Sequence, residues 1–424
     1  MLRFAAGDRR FRVVIDQTGA PQIALDDPSS FMQGQPHDQY AWLRGNHPVW
    51  WHPEATGRGF WAVTRYGDVQ AVNRDTQTFS SWLGGVMLPD ADEEQLRGSR
   101  LMMLFMDPPD HTRYRRLVSR SFTPRNAQSW KASIDSLAAT IVDRASADGY
   151  CDLVGDVAGE MPSQVIARLM GIPGDDGRRL YHLTEVMHSS APEVTDSDRL
   201  SAVIEMHTYA TQVAADKLRH PGDDLASALL RAEMYGERLS EEEFNWFFLL
   251  LVNAGGDTTR NLISGGVEAL LDQPDQMAKL QGDPEGLMAS AVEELLRFVS
   301  PVVHMRRTAS ADASLAGTQI QAGDKVVLFY GSANRDESAW SNPDRLDLAR
   351  SPNHHLAFGG GGPHMCLGAH FARIETAAVL REIATKWRDI ELAGTIESLP
   401  STFIAGLRHL PISFRLSSLN RLTH

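Results

Sequence analysis

Residues 358–368 read Phe-Gly-Gly-Gly-Gly-Pro-His-Met-Cys-Leu-Gly, and no other stretch constrains the chain as strongly. The four glycines open backbone conformations closed to other residues and allow a flat ligand to approach the main chain. A helical pattern begins at Ala369, so the sulfur of Cys366 lies near a helix N-terminus, where free N–H groups favour a thiolate. A shielded thiolate is a suitable axial ligand for haem iron. The competing interpretation is an ordinary buried cysteine.

The glycines around Cys366 favour the ligand interpretation, and their order resembles a known family. Cytochrome P-450 haem-thiolate monooxygenases carry Phe, two residues, Gly, three residues, Cys, one residue, Gly at this point. Gly362, Cys366 and Gly368 match that spacing, whereas Phe358 lies one residue farther from the cysteine. The extra glycine of the Gly359–Gly362 run is similar to the loop of a bacterial subgroup that oxidises sterols and branched lipids.

Composition excludes several other classes of protein. The chain has 424 residues, 42% of them hydrophobic, and a formal charge of −13, which disfavours nucleic acid as a partner. Two cysteines, Cys151 and Cys366, support neither a zinc site nor a disulfide framework, and no c-type haem attachment motif is present. The N-terminus lacks a signal-peptide pattern, and the longest apolar stretch, Trp246–Val252, is far below the ~20 residues of a membrane span. We therefore expect a soluble, cytoplasmic, bacterial-type protein.

The patterns along the chain predict a mainly α, helix-rich α+β fold with small peripheral sheets. Residues 1–36 form an irregular lead-in, and residues 37–424 form a single domain. Strand patterns occupy residues 49–52 and 60–66, helical patterns dominate 124–300, and short strands recur within 301–350. One more helix follows Cys366, and a hairpin is predicted through residues 404–414.

The longest predicted helix contains an unusual interruption. It opens with the capping box Ser240-Glu-Glu-Glu243, and its apolar interior gives way to Ala254-Gly-Gly-Asp-Thr-Thr259. Two glycines cost about 1 kcal/mol each in a helix, and a buried acid costs more unless it is used. One interpretation is a hydrated kink. The resemblance implies the other, an oxygen pocket at Ala254 and Gly255, with Asp257 and Thr258 as a proton-delivering acid–alcohol pair.

A basic helix is predicted within residues 105–120. At about 100° per residue, His111 and Arg115 share one face, while Arg113, Arg116 and Arg120 share the opposite face. The outer arginines are consistent with a solvated surface or with a docking face for an acidic partner. The inner pair suits buried carboxylates.

The resemblance assigns further residues to the cofactor. His111 and Arg115 match the family's propionate-binding His-x-x-x-Arg, and Arg307 and His364 fall where further propionate ligands are expected. In the Cys366 loop, the resemblance also places Phe358, Gly359 and Gly368 against the haem.

A second shared motif is structural. Glu294 and Arg297 are three residues apart on a predicted helix, which taken alone is an ordinary i,i+3 pair. The resemblance joins them to an arginine in a Pro-x-Arg-x segment, matched here by Pro343-Asp-Arg-Leu346. It therefore implies a lock of Glu294, Arg297 and Arg345 behind the haem.

The resemblance implies a monooxygenase that binds haem b and O2 and hydroxylates a C–H bond of a sterol, terpenoid or branched fatty acid. Electrons would come from NAD(P)H through a ferredoxin and its reductase, because no flavin or nucleotide fingerprint is present. We expect a monomer. Apolar residues are predicted to line the substrate pocket: Val86, Met87, Leu88, Val302, Val303 and Ile404.

Three alternatives remain at this point. A natural-product hydroxylase acting on a polyketide or peptide would have more polar pocket residues. A peroxide-driven enzyme of the same fold would lack the acid–alcohol pair formed here by Asp257 and Thr258. A haem-binding sensor or carrier would leave Thr258 idle.

Overall fold

A computed structural model describes residues 22–188, 194–234 and 237–417. Helices account for most of these residues, as the sequence predicts. They are α1 (His37–Asn46), α2 (Tyr66–Arg74), α3 (Glu93–Ser99), α4 (Asp110–Ser119), α5 (Pro124–Ala145), α6 (Glu160–Met170), α7 (Gly174–His188), α8 (Asp196–Arg219), α9 (Leu225–Arg231), α10 (Glu241–Asp272), α11 (Pro274–Gly282), α12 (Pro284–Val299), α13 (Tyr330–Ala333) and α14 (Ala369–Lys386).

The strands form small separate sheets. They are β1 (Val49–His52), β2 (Phe60–Val63), β3 (Phe79–Ser80), β4 (Tyr150–Asp152), β5 (Glu233–Met234), β6 (Glu237–Arg238), β7 (His304–Ala309), β8 (Ala313–Leu315), β9 (Thr318–Ile320), β10 (Lys325–Phe329), β11 (Trp387–Leu392), β12 (Glu397–Ser398), β13 (Leu407–His409) and β14 (Pro411–Leu416). The largest sheet has the order β1-β2-β10-β7-β3, a second has β11-β14-β4, and three are two-stranded. The helix-rich fold with peripheral sheets is thus confirmed.

Helix α10 is the centre of the helical body. The predicted capping box starts it: the Ser240 side chain accepts the N–H of Glu243, whose carboxylate accepts the N–H of Ser240. Phe244, Phe247 and Phe248 on its first turns are fully buried. The helix packs against α6, α8, α12 and α14, so its middle turns lie inside the protein.

Two details differ from the sequence prediction or limit it. The predicted hairpin through residues 404–414 is wrong, because β13 pairs with β12 while β14 pairs with β11 and β4. β13 pairs with the strand just before it, whereas β14 joins a sheet with β11 and with β4 from a distant part of the chain, and alternating hydrophobicity does not encode this choice of partners. The first 21 residues of the predicted lead-in lie outside the described residues.

Among the residues that the structure describes, no helix combines the length and apolar character needed to cross a bilayer.

Candidate functional site

The loop before Cys366 has the conformation that its glycines allow. Gly359, Gly360, Gly361 and Gly362 have φ values of 96°, 65°, 104° and 84°, all in the left-handed region. A Cβ at Gly362 would lie 2.4 Å from the carbonyl oxygen of Asn73, so the loop also packs tightly against the end of α2. The glycines are therefore explained by backbone conformation and protein packing, and close approach of a ligand is not needed to account for them.

The backbone around Cys366 is held by hydrogen bonds and by the start of α14. The N–H of Cys366 donates to the carbonyl of Phe358 over 2.9 Å, which closes the loop. Burial raises the pKa of the Cys366 thiol, whereas N–H groups of Gly368 and Ala369 and the charges of Arg115 and Arg373 lower it. Burial dominates, so the helix N-terminus does not by itself produce the predicted thiolate.

The Cys366 side chain is nevertheless accessible. Protein atoms surround the thiol closely enough to desolvate it, so its accessible surface borders a recess in the protein. A Cβ placed on Gly368 would meet nothing within 4 Å, and open space therefore adjoins the backbone just after the sulfur.

Four basic side chains gather beside this recess, as the sequence motifs predict. The rings of His111 and His364 lie 4.3 Å apart, centroid to centroid. The charges of Arg115 and Arg307 act on both imidazoles, and burial together with these cations lowers the pKa of His111 to about 4 and that of His364 well below its usual range. Burial also lowers the pKa of Arg307, while the nearby Tyr330 and Asp107 oppose this shift.

Two atoms of this cluster lack hydrogen-bond partners within the described part of the chain. They are Nδ1 of His111 and Nε of Arg307, on side chains that are 1% and 2% exposed. Buried polar atoms are nearly always paired in folded proteins. Nε of Arg307 is a donor, and Nδ1 of His111 is a donor in one of the two neutral tautomers. An excess of buried positive charge with unused donors suits an anionic ligand such as a carboxylate.

The middle of α10 is also accessible although the helix is buried. Ala254 is exposed and Gly255 is partly exposed, so these residues line an internal space. The hydroxyl of Thr258 donates to the carbonyl of Ala254 over 2.9 Å, and Asp257 is 7% exposed. A Cβ at Gly256 would lie 3.1 Å from the ring of Tyr181, which gives the second glycine a packing role.

A charged cluster on α7 and α10 was not predicted. A guanidinium nitrogen of Arg260 lies 3.0 Å from a carboxylate oxygen of Glu185, and the hydroxyl of Tyr181 donates to the same carboxylate over 3.3 Å. The charge of Asp257 acts on Tyr181, and Glu185 is 37% exposed. The cluster therefore connects Asp257 with the surface. In the sequence, Arg260 offers the only signal, as a cation within a buried helix.

The structural lock differs from the prediction in one residue. Arg297 and Glu294 form a pair at 2.8 Å, and both side chains are fully buried. The guanidinium that completes it belongs to Arg350, whose Nε donates to both Glu294 oxygens at 3.1 and 3.0 Å. Arg345 is exposed, and only its backbone carbonyl takes part, accepting from Arg297 at 3.3 Å. The assignment of Arg345 is thus wrong, because the chain turns after Pro343 and brings the later arginine inward.

The predicted pocket residues separate into two groups. Val302 and Ile404 form an isolated β-bridge, and Val302 and Met87 keep accessible surface. Val303 has no accessible surface and packs with Leu88 in a core cluster, while Val86 is also fully buried. The side chains of Val303, Leu88 and Val86 therefore support the wall and do not line it, because alternate residues of an extended segment point to opposite sides.

The site residues fit a haem. An accessible sulfur, an internal space beside Ala254 and a buried basic cluster with unused donors match the iron ligand, the porphyrin plane and the two carboxylates of that cofactor. No group of three or more His, Cys, Asp or Glu suited to a metal ion occurs among the described residues.

Comparisons with known proteins identify the family that this chain is similar to. The family profile "Cytochrome P450" matches residues 195–388. The chain is 35% identical over 406 residues to a steroid C26-monooxygenase of Mycobacterium tuberculosis, covering 93% of each protein. It is 41% identical over 389 residues to a methyl-branched lipid omega-hydroxylase of the same species, covering 88% of this chain and 90% of that one. A solved Mycobacterium marinum cytochrome P-450 in complex with pseudoionone is 40% identical, with a TM-score of 0.87 and coverage of 94% and 99%.

Proposed function

The chain belongs to the cytochrome P-450 family, and from that premise we propose that it inserts one oxygen atom of O2 into a C–H bond of a lipophilic substrate. Haem, when bound, supplies the oxidising chemistry, and a thiolate ligand pushes electron density onto its iron. The accessible sulfur of Cys366, deep in the protein beside a buried basic cluster, is the observation that carries the proposal.

Protein groups hold the cofactor in this proposal. The Cys366 sulfur is the axial ligand, and His111, Arg115, Arg307 and His364 bind the carboxylates. Their shared electrostatics and the two unused donors support this role. The cofactor is haem b, because the chain has no c-type attachment motif. Ala254 and Gly255 on α10, and Phe358, Gly359 and Gly368 beside Cys366, would also contact the bound cofactor.

Asp257 and Thr258 deliver protons in this proposal. The Thr258 hydroxyl, held by the Ala254 carbonyl, presents its oxygen to the internal space. Asp257 replenishes the proton from the surface side, where Tyr181 and Glu185 lie. A positioned proton donor typically contributes about 10²–10⁴-fold to rate.

The substrate is a bulky, mostly apolar lipid. Met87 and Val302 keep accessible apolar surface, Ile404 forms a β-bridge with Val302, and a flexible methionine adapts to irregular shapes. The relatives are named for steroids and methyl-branched lipids, which supports the same substrate class here. A hydrophobic pocket discriminates a methylene by about 1–3 kcal/mol, so several related lipids should bind.

Electrons come from NAD(P)H through a reductase and a ferredoxin. Arg116 and Arg120 are exposed on α4 and its continuation, on the opposite face from buried His111, and they provide a positive docking surface. Arg113 is less available, because its guanidinium lies 5.6 Å from the ring of Tyr114 and its charge acts on Glu243. We also propose that residues 37–424 form one domain and that the protein is a cytoplasmic monomer.

The ligand assignment is tested by the spectrum of the reduced, CO-bound protein. Wild type should show the strongly red-shifted Soret band of thiolate ligation, and Cys366→His should lose it while retaining haem. Cys151→Ser is the matched control, because Cys151 is buried in β4 and should leave the band unchanged. Loss of the band in Cys151→Ser together with its retention in Cys366→Ala would overturn the assignment.

Proton delivery is tested by the coupling of NAD(P)H oxidation to product, with surrogate redox partners. Thr258→Ala should bind substrate normally but divert reducing equivalents to peroxide, and Thr258→Ser should restore coupling because it keeps the hydroxyl. Asp257→Asn should slow turnover by about 10²–10⁴-fold. Unchanged coupling and rate in Thr258→Ala and Asp257→Asn would refute the roles. Absence of any product-coupled NAD(P)H oxidation in wild type, with haem bound, would favour a sensor or carrier.

The substrate class is tested by the low-spin to high-spin shift of the haem on ligand binding. A panel of steroids, terpenoids, branched fatty acids and polar macrocycles should give shifts with the first three classes. A tight shift with a polar macrocycle and none with any lipid would favour the natural-product hydroxylase instead.

A further inference from the structure

The positively charged side chain of Arg373 stacks against the Cys366 loop. The guanidinium carbon of Arg373, on α14, lies 4.6 Å from the ring centroid of Phe358, whose carbonyl accepts the N–H of Cys366. Arg373 also donates to the carbonyl of Ala369 over 3.2 Å, in the first turn after the sulfur. It therefore contacts the Phe358 side chain before Cys366 and the backbone after it, and neither the motifs nor the proposed function assigns it a role.

Two further side chains fix the orientation of this guanidinium. Nε and Nη2 of Arg373 donate to the two oxygens of Glu293 at 2.6 and 2.8 Å, a bidentate arrangement. His355 accepts the N–H of Ala357 at Nδ1, so its Nε2 carries a proton and donates to Glu293 over 3.1 Å. The Arg373 and Glu293 side chains are 31% and 27% exposed, so solvent screens them only in part.

The charge of Arg373 reaches the sulfur. Its guanidinium lies against the Phe358 ring and the Ala369 carbonyl, which flank Cys366 in the loop and in the first turn of α14, so it favours negative charge at the sulfur. Reduction of a bound haem iron adds one electron, supplied by an external reductant, and breaks no protein bond. The added negative charge is stabilised by a nearby cation and destabilised by a nearby carboxylate.

We propose that the Arg373–Glu293 pair sets the reduction potential of the haem iron bound to Cys366, with Arg373 raising the potential and Glu293 opposing it. This rests on the proposed role of Cys366 as iron ligand. Arg373 acts through Cys366 and Phe358, so it is a positioning residue and not a catalytic one.

The chain provides a matched control pair on the same two helices. Arg381 of α14 donates to Glu285 of α12 over 2.6 Å, two helical turns farther along, about 12 Å away. This pair joins α12 to α14 as Arg373 and Glu293 do, but it does not contact the cysteine loop. It therefore separates a structural contribution from an electrostatic one.

The test is a dithionite titration of the haem-loaded protein at low ionic strength, with every variant measured in the same buffer at one fixed pH. Arg373→Gln should shift the potential to more negative values, because Glu293 is then uncompensated. Glu293→Gln should shift it to more positive values, because Arg373 is then uncompensated. Arg373→Lys should restore most of the wild-type potential.

Opposite shifts are the decisive result. A purely structural role would loosen the loop in both variants and move the two potentials in the same direction, which would overturn the proposal. Unchanged potentials, or equal shifts in Arg381→Gln and Glu285→Gln, would also overturn it. If Arg373→Gln does not fold, Arg373→Lys and Glu293→Gln carry the test.

The spectrum of the CO complex distinguishes this failure from failure of the proposed function. If the thiolate band is present in wild type while the potentials do not respond, the tuning proposal is wrong and the ligand assignment stands. If wild type lacks the band, the ligand assignment itself is wrong, and the tuning proposal falls with it.

Discussion

Replacement of Arg350 by methionine should destabilise the protein, whereas the same replacement of Arg345 should not. Arg350 is 11% exposed, and its Nε donates to both oxygens of Glu294, a carboxylate with no accessible surface. Hydrogen bonds to a charged group contribute about 1.5–3 kcal/mol. Arg350 also donates to backbone carbonyls, but these are exposed, so water can replace the guanidinium there after the substitution. We therefore expect Arg350→Met to lower the free energy of unfolding by about 2–3 kcal/mol.

Arg297 is the arginine whose replacement should lower the free energy of unfolding most. Its guanidinium has no accessible surface and donates to Glu294 and to the carbonyls of Asn334 and Pro343. Breaking a fully buried pair from one side costs about 3–5 kcal/mol, so Arg297→Met should be the most damaging of the three variants. Arg345 is exposed and contributes only a backbone carbonyl, which any residue provides, so Arg345→Met should stay within about 0.5 kcal/mol.

The assay is urea unfolding of the haem-loaded proteins, followed by circular dichroism and by the haem absorbance. Coincident transitions justify comparison of the midpoints. The order expected is Arg297→Met, then Arg350→Met, then Arg345→Met beside wild type. The reasoning is refuted if Arg345→Met loses as much stability as Arg350→Met, since the lock would then use the motif arginine after all.

Other predictions concern the loop, the docking surface and pH. Gly362→Ala should reduce haem retention and stability, because residue 362 has a φ of 84° and the new Cβ would lie 2.4 Å from a backbone oxygen. Gly368→Ala is the control and should keep the fold, because its new Cβ would meet nothing within 4 Å. Arg116→Glu should slow electron transfer from a ferredoxin most at low salt, because the Debye length is about 8 Å at physiological ionic strength, and identical rates across a salt series would remove this surface. Burial lowers the pKa of His304 from 6.5 to about 4, so between these pH values the unfolded chain binds a proton at His304 and the folded chain does not. Stability should therefore fall as pH drops from about 6.5 to about 4, and His304→Gln should lose at most about 3 kcal/mol of that dependence, as measured by urea unfolding at several pH values.

The sequence predicts the local parts of the fold well. The capping box starts α10 where Ser240 stands, and the apolar run buries Phe247 and Phe248. The four glycines after Phe358 do take left-handed conformations. These features depend on interactions among neighbouring residues, which a pattern in the sequence encodes directly.

Long-range contacts are where sequence reasoning fails. Arg345 occupies the motif position, but the turn after Pro343 points Arg350 at Glu294 instead. Val303 is as apolar as Val302, and only the direction of the extended segment decides which one keeps accessible surface. Both outcomes depend on where distant segments meet, and a motif match alone does not specify that.

The thiol and the basic cluster also explain why the protein and a haem would stabilise each other. Burial raises the pKa of Cys366, and burial with mutual repulsion lowers the pKa of His111 and His364, so neither set of groups favours its charged form within the protein alone. An iron atom would favour the thiolate, and two carboxylates would satisfy the unused donors of His111 and Arg307. A ligand that binds only the folded state stabilises it in proportion to its affinity. Burial of these groups is unfavourable while they lack partners, and a bound haem would remove that cost. Cofactor retention and the stability of the fold should therefore rise and fall together.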